Sequence, residues 1–192
     1  MQVKTMDYYL DIQLQPDPDF VPAMLMNALF SKLHRALVEH PQLTVALSFP
    51  EYSLSPRGLG NCLRLHGKQH ELESLQTTTW LKGMHDHVFC KEIQAIPSNT
   101  KHILVKRVQA KSSVERLVRR YAKRKNISEK EALSYYEKTQ PKKLRLPFVN
   151  LNSQSSKQKF SLFIKQSKPQ EKPQVGEFNR YGLSQAATVP WF

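Results

Sequence analysis

The chain has only two cysteines in 192 residues, Cys62 and Cys90, far apart and outside any C-x-x-C pattern. That scarcity excludes a disulfide framework and a cysteine-rich zinc site, and two reduced small hydrophobes are expected instead. No apolar run approaches the roughly 18 residues that a bilayer span requires, so no membrane partner is expected. The opening residues, MQVKTMDYYLD, lack the apolar stretch of a signal peptide, and a soluble cytoplasmic protein is expected. His85 and His87 could begin a metal shell, but no nearby cluster of Cys, His or carboxylate completes it, so no metal and no cofactor is expected. Internal repeats are absent as well. Acidic residues are scarce in one half: residues 101–192 carry 21 Lys or Arg against 6 Asp or Glu, whereas residues 1–100 carry 8 against 10. A charge that served only solubility would not collect in one half, so the asymmetry points to a polyanionic partner, nucleic acid first.

What is there in abundance lies between Lys106 and Asn126, KRVQAKSSVERLVRRYAKRKN. Wound as a helix, this stretch places Arg116, Arg119, Arg120, Lys123 and Arg124 on one side and Val114, Leu117, Val118 and Tyr121 on the other. Ser112 and Glu115 stand in the S-x-x-E relation of a capping box, which starts the helix near Ser113 and gives it the span 113–125. An apolar face implies a folded element and not a basic tail. The guanidinium forks suit phosphate oxygens and guanine edges, although cations near a helix C-terminus are also favoured by the helix dipole alone.

Along the rest of the chain, Tyr8, Leu10, Ile12 and Leu14 alternate with polar residues, as in a half-buried strand. Pro22 suits a first helical position, and Leu25, Leu29, Leu33, Ala36 and Leu37 mark the buried side of a helix that stops before Pro41. Strands are expected at 44–49, 61–66, 88–96 and 102–109, and short helices at 68–75 and 79–85. The order is β-α-β-β-α-β, so the fold class is α+β: a ferredoxin-like, RNA-recognition-like N-terminal domain over residues 1–100, then a C-terminal α/β region over 101–192 that bears the arginine-rich helix. Ser128 and Glu131 form another capping box, opening a helix with Leu133 and Tyr136 that ends near Pro141. Strand-like segments follow at 148–151 and 160–164, a loose loop at 165–177, a short strand and turn in GEFNRYGLS, and a docked apolar end, VPWF.

Five segments converge on one family: MDYYLDIQLQPDPDF, KLH at the end of the first helix, RVQAKSSVERLVRR, LPFVNLNSQSSKQKFSLFI, and YGLS followed by VPWF. Together they closely resemble the CRISPR repeat-processing endoribonucleases of type I-F systems, in unbroken order from Met6 to Phe192. The resemblance implies an enzyme that recognises a hairpin in each CRISPR repeat, cuts once at its 3′ foot, keeps the product as guide RNA, and enters a multi-subunit surveillance complex. A monomer is expected when free.

Cleavage of RNA without a metal uses the ribose 2′-hydroxyl as an internal nucleophile, leaving a 2′,3′-cyclic phosphate and a 5′-hydroxyl. Histidine suits the proton transfer because an imidazole titrates near neutral pH. The resemblance assigns the role of base or shuttle to His34; alone, a histidine at a helix end is more often structural. By the same resemblance Ser153 holds the attacking hydroxyl, Ser155 is a neighbouring RNA contact, and Tyr181 lines the site and steers the histidine. Arg107 and Gln109, two apart on a strand, point to one face about 6–7 Å from each other. Arg can pair with guanine and Gln with adenine, and the resemblance places the two at the base of the stem. It also assigns stacking on the terminal base pair to Phe160, whose other reading is a core residue, and counts Lys111 with the helix cations among the RNA contacts. Val118, Lys123 and Lys125 stand where the family tends toward Arg or His, so groove contacts here are expected to be fewer and more salt-dependent. The rival readings are a hairpin-binding subunit of a ribonucleoprotein that does not cut, and a ribosomal or other structural RNA-binding protein.

Overall fold

A computed structural model describes residues 6–109, 114–138, 144–153 and 158–192, and, in the stretch 114–138, the side chains of 117–135. Lys111, the Ser112 cap, Ser155 and the side chain of Arg116 therefore lie outside the described residues. The protein is mixed α/β, with antiparallel sheets and, among the described residues, four helices.

The alternating segment near the N-terminus forms β1 (Tyr8–Leu14), and Pro22 opens α1 (Pro22–Glu39) at its first turn, where a missing N–H costs nothing. Strands β2 (Ala46–Ser48) and β5 (Cys62–Gly67), helix α2 (Gln69–Thr77), and strands β6 (Val88–Cys90) and β7 (Gln94–Ala95) follow. The first sheet runs β2-β5-β1-β6, with β7 also on β1, and its pairings are antiparallel. This order is consistent with the ferredoxin-like arrangement. Leu10, Ile12 and Leu14 on one face of β1 share a core with Leu25, Leu29, Leu33, Ala36 and Leu37 of α1, the five positions expected on its buried side. Each such leucine removed from water contributes about 1.5–3 kcal/mol, enough to fix the rotation of α1.

A second sheet has the order β11-β8-β10-β9, built from β8 (Lys101–Val108), β9 (Phe148–Asn152), β10 (Lys159–Gln166) and β11 (Thr188–Trp191). Ile103, Val105, Val149, Leu162, Ile164 and Val189 of this sheet belong to the same core as β1 and α1. The chain falls into two compact units. One comprises residues 1–108 with 146–192, and the other comprises 109–145. Apolar side chains on strands far along the chain close the first core.

Several local expectations give way. Residues 79–84 form a bend and turns, followed by a single 3-10 turn at His85–His87, because Gly83 takes φ 75°, which halts a right-handed helix. The strand expected over 88–96 is two short pieces, both on β1. A hairpin of β3 (Ser53–Leu54) and β4 (Arg57–Gly58) lies between β2 and β5. The loop expected at 165–177 is tied along β8: Ser167 N–H donates to the Leu104 carbonyl, and Gln170 exchanges two backbone bonds with His102. GEFNRYGLS holds a turn and no strand.

The VPWF end docks as expected. Thr188–Trp191 pairs with β8, and the guanidinium of Arg64 donates 3.1 Å to the Phe192 carbonyl while lying 4.2 Å from the Phe192 ring centroid and 4.7 Å from that of Tyr9. Asp11 receives the same guanidinium in two bonds of 2.7 and 3.0 Å. Buried charges require such pairing, since either partner left alone would meet the full desolvation cost.

Candidate active site and RNA interface

His34 lies in the second half of α1, half-buried at the edge of the core. Its Nδ1 is 2.8 Å from the carbonyl oxygen of Arg180. A carbonyl can only accept, so Nδ1 carries a proton in this contact, and in the neutral ring Nε2 is left as the basic nitrogen. Among the described residues Nε2 has no protein partner. The ring of Tyr181 stacks on the imidazole with centroids 3.9 Å apart and planes 16° from parallel, and it also lies 6.2 Å from Phe30 in the core. One face of His34 is thus covered by an aromatic plate anchored from below.

Tyr181 belongs to a turn with its own internal bonding. Asn179 Oδ1 accepts from the N–H of Tyr181 (2.8 Å) and of Leu183 (3.3 Å), and the N–H of Gly182 donates to the Asn179 carbonyl. Gly182 has φ 69°, and a Cβ there would lie 3.2 Å from both Leu47 Cδ2 and the Val45 carbonyl oxygen, so glycine serves conformation and close approach together.

Arg107, near the end of β8, has its guanidinium carbon 6.0 Å from the Tyr181 centroid and 5.8 Å from that of Phe160 on β10. Register places Arg107 opposite Ile164, and Gln185 Nε2 donates to the Arg107 carbonyl at 3.1 Å, which steadies the strand end. Phe160 is half-buried and packs against the core while keeping the contact with Arg107. His34, Tyr181, Arg107 and Phe160, spread over 148 residues of sequence, thus form one chain of ring and cation contacts.

Ser153 stands just beyond β9, and its N–H donates 2.9 Å to the Gln158 carbonyl, just before β10. β9 is pinned beside α1 by the Asn150 N–H, which donates 2.9 Å to Asn27 Oδ1. Ser155 falls outside the described residues.

The unit of residues 109–145, which begins with Gln109, holds α3 (Val114–Lys125) and α4 (Glu129–Lys138). Val118 and Ala122 of α3 meet Ala132 of α4 in a small core, and Tyr121 stacks on Tyr135 with centroids 4.8 Å apart. Arg119, Arg120, Lys123 and Arg124 are exposed, opposite the face carrying Val118, as the helical period requires. Arg124 also lies over the Tyr121 ring at 5.7 Å. Ser128 and Glu131 make the expected capping box: Ser128 Oγ accepts from the Glu131 N–H, and Glu131 Oε2 accepts from the Ser128 N–H and hydroxyl. These bonds hold the Glu131 carboxyl below its usual pKa.

Sequence reasoning missed Asn179 and Arg180. The run Asn-Arg-Tyr-Gly carries a turn signal, an Asn three residues before a Gly, but nothing in it announces that the Arg180 carbonyl faces an imidazole. Of the histidine pair at 85 and 87, His87 Nδ1 lies 2.8 Å from Asp17 Oδ2, in a cluster where Asp17 Oδ1 also accepts the N–H groups of Asp19 and Phe20 before α1. Among the described residues no group of three His, Cys, Asp or Glu could hold a metal ion, and no helix is long and apolar enough to cross a membrane.

Residues 9–192 match the family of CRISPR-associated proteins named Cas_Csy4. The CRISPR-associated endonuclease Cas6/Csy4 of Pseudomonas aeruginosa (strain UCBPP-PA14) is 46% identical over 187 residues, which is 97% of this chain and 100% of the relative. The protein of the same name from Escherichia coli (strain UTI89 / UPEC) is 42% identical over the same lengths. With matches that run nearly end to end, the chain belongs to the Cas_Csy4 family of CRISPR-associated proteins.

Proposed function

We propose that this chain is the endoribonuclease that processes CRISPR precursor RNA, cutting at the 3′ foot of each repeat hairpin by attack of a ribose 2′-hydroxyl. The stacked contact of His34 with Tyr181, with Nδ1 held by the Arg180 carbonyl, carries this reading, because it leaves Nε2 as the basic nitrogen at a fixed place. In the reaction, Nε2 of His34 takes the proton of the 2′-hydroxyl, the 2′-oxygen attacks the adjacent phosphorus, and the bond to the 5′-oxygen breaks. A proton returned to that oxygen gives the 5′-hydroxyl, and the other product ends in a 2′,3′-cyclic phosphate. Ser153 orients the attacking hydroxyl, and Tyr181 keeps the imidazole from turning. One histidine and no assigned acid suit a slow enzyme that keeps its product.

In this reading the RNA-binding region comprises residues 101–192 beside a ferredoxin-like N-terminal half. Arg107 and Gln109 read purines at the base of the stem, and Phe160 stacks on its last pair. Lys111, Ser155 and the cations Arg116, Arg119, Arg120, Lys123 and Arg124 follow its phosphates. A continuous A-form major groove is too narrow for side chains, but a short stem opens toward its ends and admits a slim basic helix. The product stays bound and brings the protein, a cytoplasmic monomer when free, into the type I-F surveillance complex.

The test is cleavage of a labelled repeat hairpin in excess EDTA, beside the same RNA with one 2′-deoxy at the nucleotide before the cut. Cutting of the first and survival of the second is the expected result. Tight binding with neither cut would instead make this a hairpin-holding subunit of a ribonucleoprotein.

A further inference from the structure

The turn that carries Tyr181 does more than present a ring. We propose that Arg180 and Asn179 are positioning residues that hold His34 as its Nδ1–H tautomer through the Arg180 carbonyl. The proposal deepens the reading of His34 as proton acceptor and rests on it for its catalytic consequence.

The carbonyl is held from both sides. On one side, Asn179 Oδ1 receives the N–H groups of Tyr181 and Leu183, the Asn179 N–H donates to the Leu183 carbonyl, and Leu47 of β2 donates to the Gly182 carbonyl at 3.1 Å. On the other, Arg180 Nη1 donates 2.9 Å to the carbonyl of Pro41, just past the end of α1, where the His40 N–H closes the helix on Ala36. The helix that carries His34 and the turn that accepts its hydrogen bond are therefore joined twice, through the imidazole and through the guanidinium. Arg180 is exposed, so the brace works by geometry and not by burial.

The chemical effect is specific. The alternative tautomer would set the Nδ1 lone pair against a carbonyl oxygen 2.8 Å away and would put a proton on Nε2, where none can then be accepted. The imidazolium keeps the same Nδ1–H bond, so the ring can gain and return a proton at Nε2 without rotating. A loosened carbonyl would let both tautomers and other ring orientations populate, and only a fraction of molecules would be competent at a given moment.

The experiment uses the full chain with 15N-labelled histidine, the His34 resonances being identified by their loss in His34→Gln. Two-bond proton–nitrogen spectra of the free protein at about pH 8, where imidazoles are ordinarily neutral, are expected to show His34 as the Nδ1–H form. In Arg180→Ala the two nitrogen shifts should move toward a mixture, and single-turnover cleavage of the bound hairpin should fall about tenfold with RNA affinity nearly unchanged. Arg180→Lys, whose ammonium can still reach the Pro41 carbonyl, should recover most of both. Asn179→Ala reports on the same ring should Arg180→Ala not fold, and an unchanged tautomer there counts equally against the proposal. A wild-type Nε2–H form would overturn it. So would an unchanged His34 spectrum in Arg180→Ala accompanied only by weaker RNA binding, which would make Arg180 a phosphate contact. Wild-type cleavage by His34→Gln would sink the catalytic reading separately, while the spectra would still decide whether the turn sets the tautomer.

Discussion

The His34 region and the arginine-helix unit reach order by opposite routes. His34, Tyr181, Arg107 and Phe160 come from a helix, a turn and two strands, and they meet only because a large common core sets those elements. The unit of residues 109–145 is built from neighbours in sequence: two helices, a capping box at Ser128, and a buried core of Val118, Ala122 and Ala132 among its described residues. In the proposed reading, chemistry that needs sub-ångström placement sits where long-range packing restrains it. Attraction to phosphates tolerates looser placement, because Coulomb forces fall slowly with distance.

Substitutions that act on one region and spare the other sharpen this contrast. The largest effect is expected for His34→Ala, with cleavage reduced about 10²–10⁴-fold and RNA affinity retained, as read by single-turnover kinetics beside filter binding. A cut at the normal rate would remove the catalytic assignment.

Acid should act next, on the larger unit. His66 is fully buried, its Nε2 2.9 Å from Ser48 Oγ; burial, with the Arg64 cation beside it, pulls its pKa down to about 3 against the opposing pull of Asp11. The folded protein thus leaves this ring neutral while the unfolded chain takes up a proton near the ordinary value. Its contribution is intact above about pH 6.5 and is lost as pH falls toward 3, by up to about 1.4 kcal/mol per unit. Denaturant midpoints from pH 7 down to 5 should fall accordingly, and His66→Gln should flatten the slope.

Arg107→Ala should weaken discrimination at one stem position by about 1–3 kcal/mol, seen as relaxed preference in a panel of single base-pair changes. Replacing Arg119 and Arg120 together by Ala should weaken binding to every RNA alike and lower the salt slope by about 2, with the rate at saturation preserved. A loss of sequence preference in that double variant would break the contrast. The smallest effect is local: Ser128→Ala removes the cap of α4 and should cost about 1 kcal/mol of helix stability, read by hydrogen exchange confined to residues 128–138.

Much of this was legible in the residues. The five apolar positions of α1, the alternation of β1, the box at Ser128 and the docked VPWF end follow from periodicity and caps that the chain states locally. The helix expected at 79–85 and the loose loop at 165–177 did not follow, because Gly83 adopts a left-handed conformation and β8 supplies partners that local composition does not reveal. The family motifs named His34 and Tyr181, but not that their rings lie 3.9 Å apart.

The sequence by itself determined the charge asymmetry, the amphipathic basic helix and the family, since these depend on residue type and spacing along one dimension. Only the tertiary structure decided that the Arg180 carbonyl faces His34, that Arg107 approaches both Phe160 and Tyr181, and that His66 is sealed from water. A backbone carbonyl is the same at every position and burial is a collective property of the core, so neither leaves a mark in the letters until the chain has folded around it.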